Sequence, residues 1–331
     1  MQFADLGSKV MRGLYLDKSE AEWFIGQVRS GDINDLQFVS MLAAMETRNT
    51  IRGISTEECS DLIRALRTPI EIDMNVLCNS GTGRDRVKTI NISTPAAVVI
   101  ASAGVRVLKN GSRKLTGYTG SRDVIEALGL SNDLEINDVL KEVRMVGIGY
   151  YDFSKLIPIK ARSGLASPLN LIGPLCNPVR LSYKILGCTD ERYARKIEPI
   201  LEKICPNYII SCNPNVDEIS PVEPTLILEK REGVKREYLF NPRECGFHLN
   251  DYSPILHPGN IGEMSPMILG ALRGESSIAR DTIALNAAAG IYLAGKSNSI
   301  QDAYDLSRFL MESGKSWYIL NKWRNFQRAN E

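Results

Sequence analysis

Beyond Pro69 the chain alternates short apolar runs with helical stretches, and this alternation limits the possible folds more than any other feature. Residues 72–77, 105–108, 183–188 and 208–212 read as strands, with helices such as 190–204 between them. A β-then-α succession of this kind predicts a mostly parallel sheet covered by helices, an α/β domain. Residues 225–240 differ: two extended runs flank Glu232-Gly233 and predict a β-hairpin. The chain then returns to helices at 263–273, at 276–294 and from Ser299 onward, where Asp302 completes a capping-box pattern. Ahead of Pro69 the pattern is helical throughout, and "STEECSDLIRALR" opens on a capping box of Ser55 and Glu58. The expected organisation is a small helical domain at 1–68, joined by part of 155–182, and a large α/β domain at 69–331.

Charge narrows the function. The 331 residues carry 40 basic and 39 acidic side chains, a net charge of +1, which gives no electrostatic ground for a nucleic-acid or membrane partner. The most apolar stretch, 96–108, is too short for a membrane span and is cut by Ser102, Gly104 and Arg106. The N-terminus lacks the apolar core of a signal peptide. Seven scattered cysteines without a C-x-x-C pair are expected to be reduced core thiols of a cytoplasmic protein.

One polar stretch stands out, "NSGTGRDRVKTINISTPAA" from Asn79 to Ala97. Gly81 and Gly83 allow a turn and a close approach of backbone to ligand. Thr94 suits an N-cap and Pro95 a first helical residue, ahead of the apolar run AAVVIASA. The N-terminus of a buried helix facing a polar loop is an anion site. The motif is neither a P-loop nor G-x-G-x-x-G, so an ordinary strand-to-helix connection stays open as the alternative. A second loop, 109–120, again follows a strand. It has glycines at 111, 117 and 120, cationic Lys109 and Arg113, and Ser121 placed to cap the next helix. Two such loops at successive strand ends match the crevice where open α/β sheets bind ligands. A third stretch, "NPNVDEISP", sets Asp217 beside Glu218 after a strand. It reads either as a solvated acidic turn or as a Mg²⁺ site completed by phosphate oxygens.

Together these stretches resemble the anthranilate phosphoribosyltransferase family. Its Gly-Thr-Gly-Gly-Asp and Thr-Phe-Asn-Ile-Ser-Thr motifs stand here as Gly81-Thr82-Gly83-Arg84-Asp85 and Thr89-Ile90-Asn91-Ile92-Ser93-Thr94. Its Lys-His-Gly-Asn-Arg is Lys109-Asn110-Gly111-Ser112-Arg113, and its Asp-Glu-Ile-Ser-Pro is intact from Asp217 to Pro221. "NLIGPLCNPV" and "ARDTIALNAAAGIYLAG" match two further family segments. The resemblance implies transfer of 5-phosphoribosyl from 5-phosphoribosyl 1-pyrophosphate (PRPP) to a nitrogen acceptor, with Mg²⁺, in tryptophan biosynthesis, by a cytoplasmic homodimer. It implies donor binding by Gly81, Thr82, Gly83, Asp85, Thr89, Asn91, Ser93, Thr94, Lys109, Gly111 and Ser121. Metal would be held by Ser93, Asp217 and Glu218, and the acceptor by Ser112, Arg113 and Arg162. Cleaving the donor's C1–O bond needs stabilisation of the leaving group more than a strong base. No catalytic acid or base is therefore assigned, and His248 and His257 are expected to be structural or surface residues.

The acceptor side departs from the family pattern. Asn110 stands for histidine, Ser112 for asparagine, and Ala166 for the arginine that meets the anthranilate carboxylate; Arg162 or Lys160 is the candidate replacement. Arg84 replaces a glycine beside the pyrophosphate and is expected either to contact it or to block it. The alternatives are a nucleoside phosphorylase, which the acidic pair disfavours, and a non-catalytic nucleic-acid-binding paralogue, which the charge balance disfavours.

Overall fold

The computed structural model describes residues 1–112, 119–157 and 165–330. Four helices form the N-terminal bundle: α1 (Phe3–Met11), α2 (Lys18–Ser30), α3 (Asp35–Arg52) and α4 (Thr56–Leu66). Side-chain caps fix the starts of α2, α3 and α4. Asp17 and Glu20 exchange hydrogen bonds at α2, and Asn34 and Gln37 do the same at α3. At α4 only half of the expected box forms. Ser55 accepts from the Glu58 N–H, but the Glu58 carboxylate is buried and turned inward, where it takes the Leu16 N–H at 2.7 Å and pairs with buried Arg48. A buried cation outcompetes an exposed backbone N–H for that carboxylate.

The α/β domain follows the order β1 (Leu77–Gly81), α5 (Ser93–Ser102), β2 (Val107–Gly111), α6 (Ser121–Ala127), α7 (Ile136–Met145), β3 (Ile148–Asp152) and α8 (Pro168–Ile172). It continues through β4 (Tyr183–Cys188), α9 (Glu191–Ile204), β5 (Asn207–Cys212), β6 (Thr225–Arg231) and β7 (Val234–Phe240). The last helices are α10 (Ile261–Leu272), α11 (Ile278–Leu293), α12 (Ile300–Glu312) and α13 (Lys315–Arg328). The sheet order is β3-β2-β1-β4-β5-β6-β7. Strands β1 to β5 are parallel, and the predicted hairpin adds β6 and β7 antiparallel at one edge. Glu232 and Gly233 both take positive φ at its turn, as a two-residue hairpin connection requires.

Helices α5 and α11 are buried along nearly their whole length and lie in the core over one face of the sheet, with α10, α12 and α13 outside them. The other face carries α7, α9 and the helical bundle, and α8 packs there against α3 and α4. Two strands sit later in the chain than their apolar runs. Residues 72–77 and 105–108 were expected, but the ladders begin at Leu77 and Val107 and end at Gly81 and Gly111. The paired residues Asn79, Ser80, Lys109 and Asn110 are polar because the strand ends border a site, and hydrophobic patterning does not register them. The seven cysteines are free thiols, six of them buried. Among the described residues no helix is long and apolar enough to cross a membrane.

Candidate active site

The sheet is wound outward in two directions from β1 and β4, the topological switch at which open α/β sheets form a crevice. One cavity opens there. Gly81, Thr82, Gly83, Asp85, Thr89, Asn91 and Ser93 line it from the end of β1 to the start of α5. Gly111 and Ser112 reach it from β2, Ser121 from α6, and Asp217 and Glu218 from the loop after β5. Two expected residues stand behind the wall instead. Thr94 is buried with an unpartnered hydroxyl, and Lys109 is fully buried beneath. Arg113, Arg162 and Lys160 lie outside the described residues.

The local chemistry follows from close packing. Asp217 lies across the ends of β1 and β4, and two glycines make room for it. A Cβ on Gly81 would come within 2.3 Å of its carboxylate, and one on Gly187 within 1.5 Å of its carbonyl oxygen. The Asp217 carboxylate accepts the Gly83 N–H at 2.5 Å, and its own N–H donates to Asp85 at 2.6 Å. Oxygens of Asp85, Asp217 and Glu218 all lie within 4.8 Å of one another. Burial first, and then the charges of Asp85 and Glu218, push the Asp217 carboxyl well above its ordinary range. Burial and Asp85 do the same to Glu218, which also has an oxygen hidden from solvent and without a partner. Crowded, desolvated carboxylate oxygens of this kind suit a hard divalent cation.

Across from the acids, the start of α5 is capped by Asn91, whose side chain accepts the Thr94 N–H at 3.1 Å. The expected cap, Thr94, is already inside the helix. Ser121 likewise is not a cap: it follows Gly120, whose N–H is taken by Asp123 at 2.7 Å. Lys109 donates to the Asn79 carbonyl at 3.0 Å and to Ser93 Oγ at 3.2 Å, and burial pushes its ammonium down to about 8. The Arg84 side chain does not line the cavity. Its guanidinium turns to the helical bundle, where it pairs with Glu46 at 2.8 Å and donates to the Ser167 carbonyl at 3.0 Å.

The cavity has members that sequence reasoning did not select. Ser80, Asn110, Phe153, Leu169, Asn170, Gly173, Pro174, Thr119, Lys88 and His257 also line it. The segment "NLIGPLCNPV" was the available signal, and its Asn170 braces the glycine loop by donating to the Thr82 carbonyl at 3.2 Å. His257 is not a plain surface residue: its Nε2 lies 3.1 Å from Thr119 Oγ1 at the cavity, whereas His248 is exposed as expected.

A glycosyl transferase family, described as a helical bundle domain and an a/b domain, matches residues 4–68 and 73–317 respectively. The anthranilate phosphoribosyltransferase of Syntrophomonas wolfei is 31% identical over 332 residues, covering 96% of each chain. That of Pelotomaculum thermopropionicum is 31% identical over 325 residues, covering 92% of this chain and 91% of its own. Among solved structures, the anthranilate phosphoribosyltransferase of Thermus thermophilus superposes with a TM-score of 0.83 at 26% identity, covering 97% of this chain and 99% of its own. The Saccharomyces cerevisiae enzyme, solved with PRPP and Mg, shares the fold with a TM-score of 0.79 at 19% identity, over 94% and 92% of the two chains. With both domains matched in order and the identity sustained over nearly the full length, the chain belongs to the anthranilate phosphoribosyltransferase family of pentosyltransferases.

Proposed function

We propose that this chain transfers the 5-phosphoribosyl group of PRPP to the nitrogen of an aromatic amine of the anthranilate type, in tryptophan biosynthesis. The observation that supports this most is the meeting of opposite charges across one cavity. The glycine loop and the start of α5 face the acidic trio Asp85, Asp217 and Glu218, with Lys109 behind Ser93. Free N–H groups at a helix start, together with a buried ammonium, attract a pyrophosphate. In this reading Gly81, Thr82, Gly83, Asn91, Ser93 and Gly111 bring backbone and small polar groups to the donor, and Thr89 and Ser121 flank it. Thr94 and Lys109 act from behind the wall. Asp217 and Glu218, with Asp85 and Ser93 beside them, hold Mg²⁺, which when bound supplies positive charge for the departing pyrophosphate. Ser112 borders the acceptor. The homodimer and cytoplasmic location belong to the same reading.

Calorimetry tests the donor half. PRPP with Mg²⁺ binds the wild type, and the Asp217→Asn, Glu218→Gln double variant keeps its fold by circular dichroism but loses the Mg²⁺-dependent part of the affinity. Absence of heat at millimolar PRPP would overturn the reading. For the acceptor half, Ala166→Arg with Ser112→Asn raises kcat/KM for anthranilate by restoring a charge-assisted pair; an unchanged or lower value counts against a diverged acceptor pocket.

A further inference from the structure

Beneath the cavity lie two buried lysines, one on each face of the sheet. Lys109 projects on the face covered by α5 and reaches Ser93. Lys184, on β4, projects on the opposite face, is 1% exposed, and lies outside the glycine loops and the acidic pair. Its Nζ donates to Ser80 Oγ at 2.5 Å and to Cys78 Sγ at 3.4 Å. Cys78 in turn donates to Asn110 at 3.0 Å, and Asn110 donates to the carbonyls of Gly173 and Cys176. Lys184 also borders a small internal cavity that it shares with Arg67, a second cation, and apolar side chains. Among the described residues no carboxylate forms an ion pair with Lys184. A buried charge without a counter-ion costs several kcal/mol, so an anion within reach of it is favoured.

Ser80, whose oxygen is 2.5 Å from the ammonium, lines the site cavity. Because its oxygen accepts from the ammonium, its own proton is directed elsewhere, and the hydroxyl is left to donate. Asn110, Phe153, Leu169, Gly173 and Pro174 line the same cavity. The apolar members offer a slot for a flat ring, and Ser80 and Asn110 give that slot a polar end. In the transferase reading the donor's phosphates belong to the Ser93 side, where Lys109 reaches the cavity wall.

We propose that Lys184, acting through Ser80, is the cationic post for the carboxylate of the aromatic acceptor, supplying from beneath the wall the charge that an arginine at position 166 would bring from the side. This deepens the transferase reading and rests on it. Ser80 is the contact; Lys184 is a positioning residue that orients the hydroxyl and raises the local potential. The post selects an acceptor with a carboxylate next to its amine over the same ring bearing a neutral amide.

Binding of anthranilate and of 2-aminobenzamide, measured by calorimetry on the full chain without PRPP, tests this. The wild type should prefer anthranilate on the order of tenfold or more, as expected for a hydrogen bond to a charged group near a buried cation. Lys184→Met and Ser80→Ala should each bring that preference close to one by weakening anthranilate alone. Absence of any preference in the wild type, or its persistence in both variants, overturns the proposal. If Lys184→Met fails to fold by circular dichroism, Ser80→Ala decides by the same criterion. PRPP and Mg²⁺ are titrated separately: failure of the wild type to bind them strikes the transferase reading, whereas normal donor binding without carboxylate preference strikes this proposal only.

Discussion

Lys109, Asp217 and Lys184 are each almost wholly removed from water, and each borders the cavity or stands just behind its wall. Buried ionisable groups of this kind are expensive, and they gather where ligand charge offsets the expense. Glu142 provides the contrast. It is also buried but does not line the cavity, and its carboxylate accepts from Gln327 at 2.6 Å. Burial pushes it from the ordinary 4.5 up to about 7. Between those values the folded protein holds a proton that the unfolded chain has released, so stability falls as pH rises through that window. Glu142→Gln removes the dependence. The variant should melt close to wild type near about pH 4.5 and above it near about pH 8, with the divergence developing in between. Parallel melting curves across that range would mean that Glu142 does not titrate there.

The elements that build the site are short and end where their chemistry begins. The strands β1 and β2 finish on Gly81 and Gly111, and a Cβ on Gly111 would press within 2.6 Å of Ser121. Gly187, inside β4, touches no proposed ligand position, yet the Asp217 backbone rests directly on it. A methyl group there cannot fit without moving that loop, because backbone cannot yield as a flexible side chain can. Gly187→Ala should therefore abolish Mg²⁺-dependent PRPP affinity while the secondary structure persists, as read by calorimetry and circular dichroism together. Donor affinity equal to wild type would show that the acidic loop tolerates displacement. Helix α5 makes a similar point about position. Its cap comes from Asn91, three residues ahead of the N–H it satisfies, so the hydroxyl of Thr94 is left unpartnered inside.

Across the whole molecule, the two domains meet beside the cavity, and Arg84 is one of the ties between them. It leaves the glycine loop, pairs with Glu46 of α3 and donates to the Ser167 carbonyl just ahead of α8. An ion pair that is partly shielded, with a backbone partner, is worth more than an exposed one. Since its guanidinium does not line the cavity, Arg84→Gln should leave PRPP affinity within about twofold, as expected for sites without shared partners. Hydrogen exchange in α3 and at 165–172 should become faster. A large loss of PRPP affinity with unchanged exchange would place Arg84 in the donor site after all.

The sequence by itself determined the fold class, the hairpin, and the three polar stretches that converge on the cavity. These are local facts: periodicity, caps and glycine-rich turns act over a few residues and leave their pattern in the order of side chains. Glu58, Arg84 and Lys184 show where that reach ends. Their sequence neighbours do not reveal their roles, because each is governed by a partner on another element: Arg48 for Glu58, Glu46 for Arg84, Ser80 for Lys184. Thr94 differs, since its N–H is held by Asn91 only three residues away. Gly187 belongs with the first three, since nothing near it in the chain announces that Asp217 lies on it. Only the tertiary structure decided these roles, because the energy of a buried charge or of a close backbone contact depends on what the fold places against it.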